Sequence, residues 1–82
     1  MKHAGAAALD DLNGVIERVR AIPGLRERSR GIFYWKGTAF LHFHEDPAGL
    51  FVDLRLDTVW ERFPVNTQAE RRRLLARLGK AS

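Results

Sequence analysis

The stretch that decides the fold is residues 32–56, which read IFYWKGTAFLHFHEDPAGLFVDLRL. Three runs rich in β-branched and aromatic residues are separated by two turn signals, Lys36-Gly37 and the Asp-Pro-Ala-Gly of residues 46–49. A two-residue turn with glycine second favours a tight hairpin, and a cluster of turn-forming residues favours a slightly longer one. The stretch therefore predicts a three-stranded antiparallel meander.

The same two turns predict which residues lie opposite one another. The predicted cross-strand pairs are Tyr34 with Ala39, Leu41 with both Ile32 and Leu54, and Phe43 with Val52. We expect these residues to form one apolar face that packs against a helix. The opposite face then collects Phe33, Trp35, Phe40, His42, His44, Phe51, Asp53 and Arg55, which is where we expect function to lie.

A helix is predicted over residues 9–22, where apolar residues recur every three or four positions and Pro23-Gly24 ends the pattern. Residues 25–30 are charged and predict a loop, and residues 58–64 predict a short helical turn. Thr67 and Glu70 match a capping box that begins a second helix, which we expect to end at Gly79.

The predicted fold class is α+β, with an N-terminal helix packed on a three-stranded antiparallel meander and a short C-terminal helix. With 82 residues, of which 45% are hydrophobic, the chain has room for one core, so we expect a single domain over residues 1–82 with 1–8 frayed. No apolar run is long enough to cross a membrane, and no signal peptide is legible. The absence of cysteine fits a reducing compartment, so a cytoplasmic location is expected.

The first candidate site is the His42-Phe43-His44 strand, because residues two apart in a strand share a face. Asp53 is expected opposite His42 on the next strand, so two imidazoles and a carboxylate could hold a divalent transition metal. The alternative is an ordinary cross-strand hydrogen bond between His42 and Asp53. No other cofactor is indicated, and the chain carries no hydrolase motif, so a non-catalytic role is favoured.

The second candidate site is the arginine-rich surface, since the formal net charge is +4 and arginine supplies most of the cations. Arginine favours two-pronged contacts with phosphate, so nucleic acid is a candidate partner. A solvated helix face is the alternative. The candidate phosphate contacts are Arg26, Arg28, Arg30, Arg71, Arg72 and Arg73, with Phe33, Trp35 and Phe40 as a stacking platform.

The third candidate is the aromatic sheet face itself, at Phe33, Trp35, Phe40 and Phe51. An apolar patch left uncovered on a small domain favours a homodimer or another protein partner. Burial under the C-terminal helix is the alternative. Ranked together, the sequence favours a binding or protein-interaction module, then a metal or small-ligand site at the H-x-H strand, then nucleic-acid binding.

Two bacterial families are similar to this chain at Ile22-Pro-Gly24, at the hairpin, and from His42-Phe-His44 through Gly49 to Asp53-Leu54. The chain resembles the small luciferase-domain family in its H-x-H strand, the following glycine and the Asp-Leu strand. It resembles the MmcQ/YjbR-like family in a first helix that ends in Pro-Gly and in its hairpin, although it is shorter than typical members. Both resemblances imply an α+β fold, and neither carries over an activity.

Overall fold

Nine elements of regular structure follow one another in the computed structural model, which describes residues 2–81, with side chains through residue 79. The strands are β1 (Lys2–His3), β2 (Leu25–Ser29), β3 (Ile32–Trp35), β4 (Thr38–Asp46), β5 (Gly49–Leu56) and β6 (Val59–Pro64). The helices are α1 (Ala6–Asp11), α2 (Asn13–Arg20) and α3 (Gln68–Ala81). The radius of gyration of 11.5 Å matches the value of about 11.7 Å typical of a compact domain of this length.

The sheet is larger than the sequence predicts, and the predicted three-stranded meander is wrong. Six antiparallel strands form one sheet in the order β2-β3-β4-β5-β6, and β1 pairs with β4. β4 is long enough to hold two partners on one edge, with β3 along its first half and β1 along its end. The Phe43 N–H donates to the Gly31 carbonyl at 3.0 Å, and the Phe43 carbonyl accepts from the Ala4 N–H at 3.0 Å. Among the residues predicted to fray, Lys2–His3 form a strand and residues 6–8 begin a helix.

The two additional edge strands come from segments that were predicted as other structures. β2 replaces the loop predicted at residues 25–30, and β6 replaces the helical turn predicted at residues 58–64. Each pairs on one side only, with β3 and with β5 respectively. Charged side chains suit an edge strand, because they stay in water while the backbone pairs with the sheet.

A β-bulge changes which side chains of β3 face the core. The predicted pairs of Ala39 with Tyr34, Leu41 with Leu54 and Phe43 with Val52 are all present. The predicted pair of Ile32 with Leu41 is wrong, because the register shifts after Phe33 and places Phe33 opposite Leu41. An extra residue in one strand of a pair re-aims the side chains beyond it.

All three helices contribute to one hydrophobic core on one face of the sheet. The buried apolar residues are Leu9, Leu12, Val15, Ile16, Val19, Phe33, Leu41, Phe43, Val52, Leu54, Val65, Leu74 and Leu78. The helix predicted over residues 9–22 begins earlier, at Ala6, breaks at Leu12 and ends at Arg20. The other sheet face, which we call the open face, is covered by no helix within residues 2–81.

The capping box at the start of α3 is confirmed. The Glu70 N–H donates to the Thr67 hydroxyl at 3.1 Å, and the Thr67 N–H donates to the Glu70 carboxylate at 2.9 Å. These two bonds satisfy helix-end donors that would otherwise lack partners. The helix continues past Gly79 to Ala81, so its predicted end is wrong by two residues.

Candidate metal centre on the open face

The three histidines of the chain converge on one spot of the open face. His42 and His44 alternate along β4 and therefore point the same way, and His3 lies directly opposite His44 on β1. The ring centroids are 5.3 Å apart for His3 and His42, 5.0 Å for His3 and His44, and 5.8 Å for His42 and His44. These three residues form the cluster that we call the histidine triad.

The ring nitrogens of the triad are close enough to share one metal ion. One nitrogen from each residue can be chosen so that all three lie within 4.8 Å of one another. Ligand atoms of a tetrahedral zinc ion, each about 2.0–2.1 Å from the metal, lie about 3.3 Å apart. To bind one zinc ion, the ring nitrogens would therefore have to move closer to one another by about 1.5 Å at most. The exposed His3 ring has room for that movement.

His44 is the anchor of the triad, because it is 92% buried (8% exposed). Its Nδ1 lies 3.3 Å from the Lys2 carbonyl oxygen, a contact in which the ring N–H donates. That tautomer leaves a lone pair on Nε2, which is buried and has no hydrogen-bond partner among the described residues. Asp53 Oδ2 lies 3.1 Å from this Nε2, so in this tautomer two lone-pair-bearing atoms face each other. A metal cation beside them, or a proton on Nε2, would satisfy both.

Asp53 is held beside the triad by Arg62 on β6. Arg62 donates to both carboxylate oxygens, at 2.6 Å and 2.9 Å, and the Asp53 side chain is only 16% exposed. These two bonds hold the pKa of Asp53 below its usual value, although burial acts in the opposite direction. Asp53 pairs in register with His42, as predicted, but its carboxylate contacts His44. It does not belong to the mutually close set of ligand atoms.

Burial favours the neutral, metal-binding form of two members of the triad. Burial lowers the pKa of His42, and the nearby imidazoles of His3 and His44 lower it further. Burial also lowers the pKa of His44, with partial compensation by the Asp53 carboxylate. A neutral imidazole is the species that binds a metal ion.

The triad was found only in part from the sequence. His42 and His44 are together, as expected, and Asp53 lies beside them. His3 was missed, because it was assigned to a frayed terminus. The signal that pointed to it was the count, since three histidines in 82 residues left one unassigned beside an H-x-H pair.

The predicted aromatic face is divided between the two sides of the sheet. Phe33 is fully buried in the core, and Phe40, beside the bulge, packs against that core. Phe51 is half-buried opposite His44, and Trp35 is 40% exposed at one end of the sheet. Trp60, which the sequence analysis did not assign to this face, lies 5.1 Å from the His42 ring.

The candidate arginines do not form one surface. Arg26 and Arg28 are exposed on β2, whereas Arg72 and Arg73 are exposed on α3. Helix α2 contacts both β2 and α3, and therefore lies between these groups. Arg30 is paired with Asp10, and Arg71 donates to Asp11 and to the Val65 carbonyl. Two of the six thus have hydrogen-bonded partners elsewhere in the fold, and a third, Arg28, lies 4.8 Å from the centre of the Tyr34 ring on β3.

Among the described residues, no helix has both the length and the apolar character needed to cross a membrane. The resemblances to the luciferase-domain and MmcQ/YjbR-like families stay predictions. Comparison with family models, with curated proteins and with solved structures finds no match to this chain.

Proposed function

We propose that the protein binds a divalent transition metal ion, zinc first, through the histidine triad of His3, His42 and His44. The observation that carries the proposal concerns His44: its buried Nε2 has no hydrogen-bond partner among the described residues, and the residue belongs to the one described cluster whose ligand atoms are close enough to share a metal ion. Buried polar atoms without partners are rare in proteins and call for an explanation. A bound metal supplies one.

The ligand set favours zinc over harder ions. Imidazole nitrogens suit zinc, copper and nickel, whereas calcium and magnesium prefer oxygen ligands. Three histidines would leave a fourth tetrahedral position, which Asp53 or water could fill. The 3.1 Å between Asp53 Oδ2 and His44 Nε2 is near the spacing of about 3.3 Å for two ligands of one tetrahedral ion.

Asp53 also acts as an outer partner that orients His44. Its two bonds from Arg62 fix the carboxylate, so its position does not depend on the metal. Outer partners of metal ligands typically change affinity by about 10–100-fold when they are replaced. Removal of a direct ligand costs more than that.

The test is a zinc and cobalt titration of protein purified without a polyhistidine tag. Cobalt reports geometry, because a tetrahedral site gives intense visible absorption. We expect one metal per chain, with affinity reduced more than about 100-fold in His3→Ala, His42→Ala and His44→Ala, and about 10–100-fold in Asp53→Asn. Arg55→Gln is the matched control, since Arg55 shares the open face but offers no ligand atom.

His3→Ala is the decisive variant, because His3 is exposed and its removal leaves the core intact. A His3→Ala protein that binds zinc as tightly as the original chain would contradict the proposed site. So would a metal content that stays equal in all three histidine variants, since the metal would then lie elsewhere.

The sequence ranked a protein-interaction role first, but fewer of the residues proposed for it lie on an accessible surface. Of the four proposed contact residues, Phe33 and Phe40 belong to the core side and Trp35 packs against Gly24 at the end of the sheet, which leaves Phe51 on the open face. Measuring molar mass across protein concentration, with and without zinc, tests for a homodimer separately from metal binding.

A further inference from the structure

The exposed apolar side chains of the described residues gather at one end of the sheet. Trp35 is 40% exposed, Val59 64% and Trp60 42%. They flank the tips of two hairpins, the β3–β4 turn and the β5–β6 turn. Large apolar side chains exposed near one end of a small domain make that end a candidate binding region.

Each of the two indoles carries a cation on its face. The Lys36 ammonium lies 5.5 Å from the centre of the Trp35 ring, and the Arg55 guanidinium lies 5.9 Å from the Trp60 ring. Within residues 2–79 neither cation forms an ion pair. The aromatic rings therefore position both cations without neutralising them, so both cations can pair with an anion.

A cleft of about 700 Å³ opens between the two hairpin tips. Its walls include Trp35, Lys36, Phe40, Arg55, Asp57 and Arg77. The volume falls within the range of about 300–1,000 Å³ typical of small-molecule sites. Three cations and one carboxylate line the cleft. Arg77 already forms an ion pair with Glu61 at 3.2 Å, and the remaining lining charges, Lys36, Arg55 and Asp57, are net positive.

The two turns that border the cleft hold residues in an unfavourable backbone conformation. Lys36 has a φ of 51° and Asp57 a φ of 57°, and they are the non-glycine residues with positive φ in the described chain. Asparagine or glycine would occupy the first position of the Lys36-Gly37 turn with less strain. Retained strain of this kind clusters at functional sites.

We propose that this cleft binds a nucleoside phosphate, either free or as one unit of a single strand. The planar base stacks on the exposed Trp35 indole, and the phosphate meets the charges of Lys36 and Arg55. Stacking surfaces beside arginine and lysine are the usual means of holding a base and its phosphate without reading a long sequence. The proposed ligand contacts Trp35, Lys36 and Arg55 include no member of the histidine triad, although Arg55 lies over Trp60, whose ring is 5.1 Å from the His42 ring.

The experiment titrates adenosine monophosphate, adenosine, inorganic phosphate and hexadeoxyadenylate into the apo and zinc-treated protein. The readouts are the binding isotherm and the NMR shift of the Trp35 indole N–H, because Trp35 lines the cleft whereas Trp60 lies against His42 of the triad. We expect the monophosphate to bind at least about tenfold more tightly than adenosine or phosphate alone, since both parts contribute. Affinity of the hexanucleotide above that of the monophosphate identifies a single strand as the ligand, and equal affinity identifies the free nucleotide.

Three variants separate a built site from general positive charge. Lys36→Asn and Arg55→Gln should each weaken monophosphate binding about tenfold, since each removes a charged contact. Lys36→Asn keeps the turn, so the loss cannot be ascribed to unfolding. Arg72→Gln removes the same charge from an exposed site on α3 and should change affinity less than about twofold.

Some results would overturn the proposal. A Trp35 indole shift that does not respond to the monophosphate would exclude the cleft. Equal losses in Arg72→Gln and Arg55→Gln would show diffuse attraction to a basic protein. Arg55→Gln leaves every proposed zinc ligand in place and His3→Ala leaves every cleft residue in place, so failure of one proposal is distinguishable from failure of the other.

Discussion

Zinc should tie β1 to the sheet, and hydrogen exchange at the Ala4 amide measures how strongly. The Ala4 N–H donates to the Phe43 carbonyl at 3.0 Å, directly after His3. β1 has two residues, so opening it breaks few contacts and costs little free energy. Opening also withdraws His3 from the histidine triad. A metal that needs His3 therefore binds only the closed form.

The size of the effect follows from that linkage. With free zinc at about 100 times its dissociation constant, the closed form gains about 2.7 kcal/mol, and exchange at Ala4 slows about 100-fold. If the open form also binds zinc, through His42 and His44 alone, exchange at Ala4 slows by less. The expected slowing is then divided by the factor by which zinc stabilises the open form. The zinc affinity of His3→Ala supplies that factor, so the expected slowing can be calculated before it is measured.

The assay is amide exchange followed by proton–nitrogen NMR with and without zinc. The Arg71 amide serves as an internal reference, because it donates to the Thr67 carbonyl at 3.0 Å in the first turn of α3. We expect Ala4 to slow and Arg71 to exchange as before. Bound zinc with unchanged exchange at Ala4 would remove His3 from the site, and equal slowing at Ala4 and Arg71 would refute the selective clamping of β1.

Three further outcomes are expected. Phe33→Leu should lower the free energy of unfolding in urea by about 1–2 kcal/mol, because Phe33 is fully buried. Phe51→Leu on the open face should lower it by less than about 0.5 kcal/mol. Similar losses in the two variants would contradict the bulge, which places Phe33 in the core. Burial raises the pKa of Glu27, but hydrogen bonds from Arg20 and a backbone N–H outweigh it and lower that pKa overall. Glu27 therefore adds stability above its unfolded pKa, and this stability is lost as the pH falls. The difference in free energy of unfolding between the original chain and Glu27→Gln should shrink towards about pH 3. A difference that stays constant with pH would refute the ion pairing. Lys36→Asn and Lys36→Gln both lose the contact of Lys36 with the Trp35 ring, but asparagine tolerates a φ of 51° better than glutamine does. Lys36→Asn should therefore be more stable than Lys36→Gln by about 0.5–1 kcal/mol in thermal unfolding, and a lower midpoint for Lys36→Asn would argue against strain in this turn.

Local patterns predicted the centre of the sheet and the start of the last helix. The Lys36-Gly37 turn, the turn at residues 46–49 and the capping box of Thr67 and Glu70 all depend on neighbours a few residues apart. Turn and cap chemistry acts at that range, so sequence alone reveals it. The register of β4 with β5 followed from the same turns.

The edges of the sheet could not be predicted in this way. β2 is rich in charged residues, and β6 reads Val-Trp-Glu-Arg-Phe-Pro without a regular alternation of apolar and polar residues, so neither has a strong strand signal of its own. Each becomes a strand because β3 or β5 offers it a row of unpaired backbone groups. The bulge after Phe33 likewise depends on how β3 fits β4, and it moved Phe33 from the predicted open face to the core.

The candidate metal centre was likewise predictable from the sequence only in part. The sequence by itself determined that His42 and His44 share a face and that Asp53 lies on the neighbouring strand, because strand periodicity and a short turn suffice for both. Only the tertiary structure decided that His3 completes the triad, since β1 docks on the end of β4 that β3 leaves unpaired. No local rule links residues so far apart along the chain; the backbone hydrogen bonds left open at that edge bring them together.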